Sequence, residues 1–450
     1  MACYNLPPQF KVASTHKSSE PRFPPAGGNY ADRGHADVLS KPKVPRRLQK
    51  ALQRIVLLVL LVLALALFFI QVRQWVRSHT GGLDFEAFYT AGKIVNRGQA
   101  SRLYNIALQQ KTQLEAGLAG PFMAYYHPPF EALLFAPFAS LSYVHAFLLW
   151  AALNLVCLCL TVYLLRFAGR PLGAGPYAAW LAVGLSLALG VFSMGQDTLF
   201  LALVFLACFL ALKNRRDTLA GLIMGAGLFR FEIFLPFMFV FLLRRRWKVL
   251  AGFCLAALLV SLASVALVGW SGIYKYSVLL QEVGRVRGSV ASGVPTAEMP
   301  TLRGVVATFL GGMVPATLLF PFVFVGTLLL LCWAAWQFRS ITTPDARAFD
   351  LEFSLTVVAA LLSSYHLFVH ELTPLIVVGY LMLGYESARP REGLLGNRRC
   401  TALLFLFASV FFVGAYARFR DFSVEFIVLF GLMIWLSQEI GGLRRVAASP

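Results

Sequence analysis

Charge is what this sequence lacks most. Asp, Glu, Lys and Arg make up 14% of its 450 residues, against roughly 25% in soluble domains. A surface facing water on all sides cannot be covered with so few charges, which excludes a soluble globular enzyme. Acids are the scarcer sign: 21 Asp and Glu stand against 40 Lys and Arg, for a net charge of +19. With 58% apolar residues, the chain is too apolar to be disordered, and nucleic-acid binding is not the natural reading of its basicity. Cysteine is sparse and unpaired. Cys3, Cys157, Cys159, Cys208, Cys254, Cys332 and Cys400 flank no outer loop as a pair, so no disulfide scaffold is expected. Cys157 and Cys159 are two apart and face different sides of a helix, so they are not a metal pair. No Gly-rich nucleotide-binding loop is present. No apolar core begins in the first thirty residues, so a secretory signal is not expected.

Long apolar runs are what the sequence has instead, and they define a polytopic membrane protein. Residues 1–53 are polar, Pro-rich and basic toward their end (Lys41, Lys43, Arg46, Arg47, Lys50), and read as a disordered cytoplasmic tail. The first span, IVLLVLLVLALALFFIQV, follows within 54–72. Its basic flank places its N-terminus in the cytoplasm. Residues 54–440 form the membrane domain and 441–450 a cytoplasmic C-terminal tail. Further runs occupy 130–141, 144–166, 175–192, 197–212, 218–229, 232–243, 248–270, 303–338, 350–364, 371–386, 401–416 and 424–439. The expected fold is all-α, about ten to twelve transmembrane helices, with short surface helices in the first outer loop.

Basic connectors set the parity. Arg166/Arg170, Lys213/Arg215/Arg216, Arg244/Arg245/Arg246/Lys248, Arg339/Arg347, Arg389/Arg391/Arg398/Arg399 and Arg444/Arg445 all belong in the cytoplasm. Two deductions follow. The run 130–141 is a short helix in the outer face, because twelve helical residues span ~18 Å of a ~30 Å core. The stretch 218–243 has basic flanks on both sides but is too short for two full crossings, which need about 40 residues. It reads as two short or broken helices with Arg230, Phe231 and Glu232 near the turn. The outer side then collects 73–127, 192–197, 271–302, 365–370 and 417–423.

The polar residues left on that side are the candidates for chemistry. Asp84 and Glu86 sit among Phe85, Phe88 and Tyr89 beyond the first span. A carboxylate there suits general-base work on a sugar hydroxyl; the plainer reading is a helix N-terminus. In AYYHPPFEALLFAPF the prolines fix an extended entry to a helix, with His127 just before them. Gln196 and Asp197 lie in a tight outer turn. Arg230 lies in an otherwise apolar stretch, where an Arg costs roughly 2.5–3.5 kcal/mol. It suits a phosphate, unless Glu232 is its partner in a structural pair. His366 and His370, four apart with Glu371 adjacent, have zinc-like spacing on a helix but no evident third ligand.

The ordered set LDFEAFYTAG, RLYN, YHPPFEALLFAPFASL, GQDTLFLALVFLACFLALKNRRDTLAGLIMGAGL, LRRRWKVLAG, MPTLRGV and SYHLFVHEL resembles glycosyltransferase family 87, polyprenol-phosphate-mannose-dependent α-mannosyltransferases of the GT-C superfamily. The resemblance covers about 50–440. It implies a GT-C-like bundle with Asp84 as the catalytic aspartate of the first outer loop. It matches the family's Tyr-x-Pro-Pro entry to Tyr126–Pro129, and its Gly-Gln turn to Gly195-Gln196, with Thr198 where Asn is usual. The common Lys-Pro becomes Arg230-Phe231. The Leu-Arg-Gly word is Leu302-Arg303-Gly304, and the late His is His366, with Glu371 where Asp is more usual.

The resemblance thus implies a membrane glycosyltransferase moving a hexose, mannose by family, from a polyprenyl-phosphate donor to an extracytoplasmic glycolipid or glycan. Inversion at the anomeric carbon would use Asp84 as base. Glu86, Tyr89, His127, Gln196, Arg230, Arg303 and His366 would bind substrate, with Arg285 or Arg287 as further cations for the phosphate. No cofactor is expected beyond the lipid-linked sugar as co-substrate. A divalent metal on Asp84-Phe85-Glu86 is admitted but not favoured. Membrane lipids, the donor and the acceptor are the expected partners, without nucleic acid. The expected location is a bacterial plasma membrane, multi-pass, with the site outside. The alternative is a secondary transporter or flippase of an anionic lipid-linked substrate. It would need paired broken helices in two halves, and the sequence shows no such repeat.

Overall fold

A computed structural model describes residues 83–118, 120–168, 191–283, 296–339, 347–387 and 423–448. The tail 1–53, the first span 54–72, the runs 175–190 and 401–416, Cys3, Cys400, Arg285, Arg287 and the connector 389–399 lie outside them. Of the described residues 83% are helical and none is in a strand, as expected of an all-α membrane protein. Among the described residues the longer helices are α1 (Leu83–Asn96), α2 (Ile106–Glu115), α3 (Pro129–Ala139), α4 (Tyr143–Ala168), α5 (Thr198–Lys213), α6 (Asp217–Ala226), α7 (Phe231–Leu243), α8 (Trp247–Val283), α9 (Leu302–Leu310), α10 (Ala316–Gln337), α11 (Arg347–Ser363), α12 (Leu375–Ser387) and α13 (Glu425–Ala448). Five described stretches are long and apolar enough to cross a membrane: 143–168, 217–243, 247–283, 317–337 and 425–446.

The stretch 217–243 does not cross. A 3₁₀ turn at Gly227–Arg230 breaks it, and an ion pair of 2.8 Å between Asp217 and Arg246 brings its two ends together. Packing gives the direction. Gly221 abuts Val249 and Phe253, and Gly225 abuts Phe253 and Ala256, so α6 runs parallel to the start of α8. The α7–α8 turn reverses the chain, so α6 and α7 form a re-entrant hairpin with Arg230 at its tip, as the short spacing between basic flanks predicts. Gly221 is obligatory in this packing: a Cβ there would enter the space of the Val249 carbonyl.

The bundle has two chemically distinct ends. At one, Lys213 donates to the Ala168 carbonyl at 2.6 Å and pairs with Asp350 at 3.3 Å. Arg444 meets Gln337 and, at 3.0 Å, Glu352. This basic end also holds the turns after α5 and α7. Each turn closes with paired bonds, Arg215 N to Leu212 O and Arg216 N to Ala211 O, then Arg245 N to Leu242 O and Arg246 N to Phe241 O. This is the Schellman pattern, which favours Gly at C′. Here Arg215 (φ 58°) and Arg245 (φ 54°) take the left-handed conformation instead. The opposite end carries α1, α2 and the starts of α3, α4 and α5.

Between the ends, α11 is buried from Leu351 to Ser363, as a helix apolar all round must be. Ring pairs line the path: Phe205 stacks on Phe234 at 4.8 Å, while Phe209 meets Phe353 at 5.0 Å and Phe241 meets Phe338 at 5.6 Å, both edge to face. By contrast α4 and α8 expose rows of Leu and Val, such as Leu148, Leu155, Leu255, Leu258 and Leu262.

Three boundaries differ from the sequence reading. Residues 271–283 are not loop: α8 runs on through Tyr274 and Lys275 after a kink at Gly269 (φ 68°, ψ 174°). The run 303–338 is two helices, α9 and α10, parted by Gly311–Pro315. The C-terminal segment 441–448 continues α13 rather than forming a separate tail.

Candidate active site

Asp84 lies in the first turn of α1, partly exposed, while Phe85, Glu86, Phe88 and Tyr89 are buried. Helical geometry splits the two acids. Residues i and i+2 point to different sides, so Asp84 and Glu86 do not form the chelating pair that the D-x-E spacing admits. Glu86 is 1% exposed, and its Oε1 has no hydrogen-bond partner. Burial first, and the charge of Asp84 second, raise it to about 7. Tyr89 is also turned inward; its hydroxyl donates to the Leu141 carbonyl at 2.8 Å and its ring meets Tyr143.

The Gly195-Gln196 turn is clamped onto α1. The Trp150 indole donates to the Gly195 carbonyl at 2.8 Å. Gly195 has φ +67°, and a Cβ there would stand 2.6 Å from the Phe85 Cβ. The Gln196 carboxamide therefore arrives beside Asp84, and its Nε2 donates to Asp84 Oδ2. Its Oε1 accepts from Arg230 Nη2 at 3.0 Å.

Arg230 is the hub of this end. Nη2 also donates to Asp197 Oδ1 at 2.5 Å, and Nη1 lies 3.2 Å from both Glu371 Oε1 and His127 Nδ1. Its partners are thus Asp197 and Glu371, not the neighbouring Glu232 of the sequence reading. The fork offered to a phosphate in that reading is taken up by protein groups, and the side chain is 5% exposed. Glu371 is held in turn, its Oε2 accepting from Phe368 N at 2.6 Å. Thr373 Oγ1 donates to the Thr198 carbonyl, tying the two segments together.

His127 is fixed by its backbone. Tyr104 donates to its carbonyl at 2.7 Å, and Tyr125 donates to the Pro128 carbonyl at 2.9 Å. Pro128 caps α3, which starts at Pro129 as the Pro-Pro signal predicts. The ring packs on Phe88 at 4.7 Å. Burial first, and Arg230 second, push its pKa down to about 3, so the imidazole is neutral. Asp197 is raised to about 6 by burial, against the pull of Arg230, and ionises by neutral pH.

Donor atoms of His127, Glu131 and Asp197 all lie within 4.8 Å of one another, a spacing that could hold a cation. The Arg230 guanidinium already places a positive charge on two of the three. The other candidate pair, His366 and His370, is not on a regular helix: residues 364–368 are non-helical and a 3₁₀ turn spans Val369–Leu372. His366 lies edge-on to Phe368, its Nδ1 is buried without a hydrogen-bond partner, and burial lowers it to about 4.

Arg303 is fully buried and donates to the carbonyls of Tyr365 (2.9 Å) and Val283 (2.8 Å), its guanidinium over the Tyr365 ring at 4.5 Å. It joins α9 to the segment bearing His366.

The structure therefore gathers Asp84, His127, Gln196 and Arg230 into one connected set, with His366 on the segment that ends in Glu371 and Arg303 on α9, bonded to that segment at Tyr365. It turns Glu86 and Tyr89 into the packing of α1. Asp197, Glu371 and Glu131 complete the set. Asp197 and Glu371 stand out in the sequence by their places beside Gln196 and His370; Glu131 is the one the sequence reading passes over, although an acid inside the apolar run of α3 is a readable signal.

With that geometry in place, the comparison with known families is specific. The model of glycosyltransferase family 87 matches residues 125–364, just over half of the chain. No curated protein and no solved structure matches it.

Proposed function

The chain belongs to glycosyltransferase family 87, and from that premise we propose that it transfers a hexose, mannose by its family resemblance, from a polyprenyl-phosphate donor to a glycolipid or glycan acceptor. The observation that carries this reading is Asp84: a partly exposed carboxylate at the head of α1, restrained through one oxygen by Gln196. It stands at the end of the bundle opposite the basic turns. By the positive-inside rule that end faces away from the cytoplasm. A donor used there suits a lipid link better than a nucleotide, because nucleotide sugars are cytoplasmic.

In this reading the acceptor hydroxyl attacks the anomeric carbon of a β-linked sugar. The carbon–oxygen bond to phosphate breaks and the phosphate leaves with the electron pair. The hydroxyl proton passes to Asp84, and the new bond is α. The exposed Leu and Val rows of α4 and α8 give the polyprenyl chain an apolar surface to lie on.

The test is transfer by the purified protein in lipid nanodiscs. Radiolabelled polyprenyl-phosphate mannose, with a cell-lipid extract as acceptor, is expected to yield labelled product; a nucleotide-linked mannose is not. Transfer from the nucleotide sugar in the absence of any polyprenyl phosphate would overturn the reading.

A further inference from the structure

We propose that Gln196 and Arg230 are positioning residues for Asp84 rather than ligands of the donor, with Arg230 acting through Gln196. The proposal rests on the reading of Asp84 as the base.

A carboxamide has two ends of nearly equal size, one donor and one acceptor. Which end faces Asp84 depends on what the other end meets. An arginine has donors only, so the end facing Arg230 must be Oε1. The 3.0 Å bond from Nη2 to Oε1 thereby leaves Nε2 for the Asp84 carboxylate, which has acceptors only when ionised. Without Arg230, the amide could turn and present Oε1 to Asp84, lone pair against lone pair.

Neither partner is free to drift. The Gln196 backbone is pinned by the Trp150 bond to Gly195 and by contact of that glycine with Phe85. Arg230 is anchored by Asp197 and Glu371 and buried at the tip of the hairpin. The hairpin thus serves as a strut. Its base is fixed by Asp217 and Arg246 at the basic end, and its tip fixes the rotation of a carboxylate on α1. With Oδ2 engaged, Oδ1 is the oxygen left to meet a hydroxyl.

A positioning role and a donor-binding role differ in kinetics. Loss of a donor ligand raises donor KM; loss of orientation lowers kcat with KM little changed. Misplacing a reacting group by about 1 Å can lower the rate ~10²-fold. Gln196→Ala is therefore expected to lower kcat by about that factor and leave donor KM within about twofold. Arg230→Lys keeps a donor-only group at the tip and is expected to retain activity within about tenfold. Arg230→Met would leave Asp197 and Glu371 as buried unpaired charges, so it is made together with Asp197→Asn and Glu371→Gln. This triple variant is expected to match Gln196→Ala, and adding Gln196→Ala to it should lower kcat no further.

The experiment measures kcat and donor KM for these variants with polyprenyl-phosphate mannose, alongside Asp84→Asn and thermal unfolding of each protein. A rise in donor KM at unchanged kcat for Gln196→Ala overturns the proposal and makes Gln196 a donor ligand. Multiplicative losses in the combined variant also overturn it. If the triple variant does not fold, Gln196→Ala and Arg230→Lys decide alone: a kcat loss in the first with retention in the second supports the proposal, and any other pattern overturns it. Failure of the underlying reading looks different. In that case Asp84→Asn retains transfer whatever Gln196 and Arg230 do.

Discussion

Glu86 offers a pH-dependent test of the packing around α1. The residue is 1% exposed, with one carboxyl oxygen unbonded, and its pKa is raised to about 7 by burial and by Asp84. In the unfolded chain it returns to 4.5. Below pH 4.5 the group is protonated in both states and contributes no difference. Between 4.5 and 7 the unfolded chain ionises while the folded chain holds its proton. There the unfolded state binds fewer protons, and stability falls as pH rises. Above 7 both forms are ionised and the loss is complete. At about 1.36 kcal/mol per pH unit, the interval corresponds to at most ~3.4 kcal/mol. Glu86→Gln removes the ionisation and keeps the shape. Thermal unfolding in detergent should therefore show Glu86→Gln more stable than the parent at pH 8, by on the order of 1–3 kcal/mol, and the two nearly equal near pH 4.5. A gap of the same size at both pH values, or a parent that is the more stable protein at pH 8, would refute the reasoning.

Three further outcomes follow from the fold. Gly221→Leu drives a side chain into the Val249 carbonyl and should destabilise the hairpin by on the order of 3 kcal/mol, read as loss of monodisperse protein in size-exclusion chromatography. Arg245→Gly relieves a left-handed arginine and should raise Tm by about 1–2 °C, a relief of ~1 kcal/mol less the added freedom of the unfolded chain. Single cysteines at Ser101 and Asn214, both exposed and at opposite ends of the bundle, placed in a cysteine-free background, should differ toward a membrane-impermeant thiol reagent on intact cells. Ser101→Cys labels and Asn214→Cys does not.

Much of this arrangement was legible in the sequence, for identifiable reasons. The re-entrant hairpin followed from two basic flanks too close together for two crossings. The start of α3 followed from Pro128-Pro129, and Arg230 stood out because a charge in an apolar run needs a reason. What stayed hidden depends on contacts between distant segments. Nothing local to Arg230 points to Asp197 or Glu371, and the adjacent Glu232 is the obvious but wrong partner. The divergence of Asp84 and Glu86 depends on where α1 begins, because a loop could aim both the same way and a helix cannot. The polar stretch after Gly269 reads as loop, yet α8 continues through it. Polar residues at a helix end that leaves the bilayer look the same in sequence as polar residues in a loop.

The central claim is that Asp84 is the base of a lipid-linked sugar transfer, and single-turnover transfer by Asp84→Asn tests it most directly. The substitution keeps the side chain's size but replaces the carboxylate with an amide that cannot take a proton. Removing a general base lowers the chemical step by about 10²–10⁴-fold. The measurement mixes excess enzyme in nanodiscs with radiolabelled polyprenyl-phosphate mannose and acceptor lipid, and follows product formation beside a thermal unfolding curve. The account predicts a rate at least ~10²-fold below the parent, with Tm essentially unchanged. Transfer at more than about a tenth of the parental rate, from a protein equally folded, would contradict it.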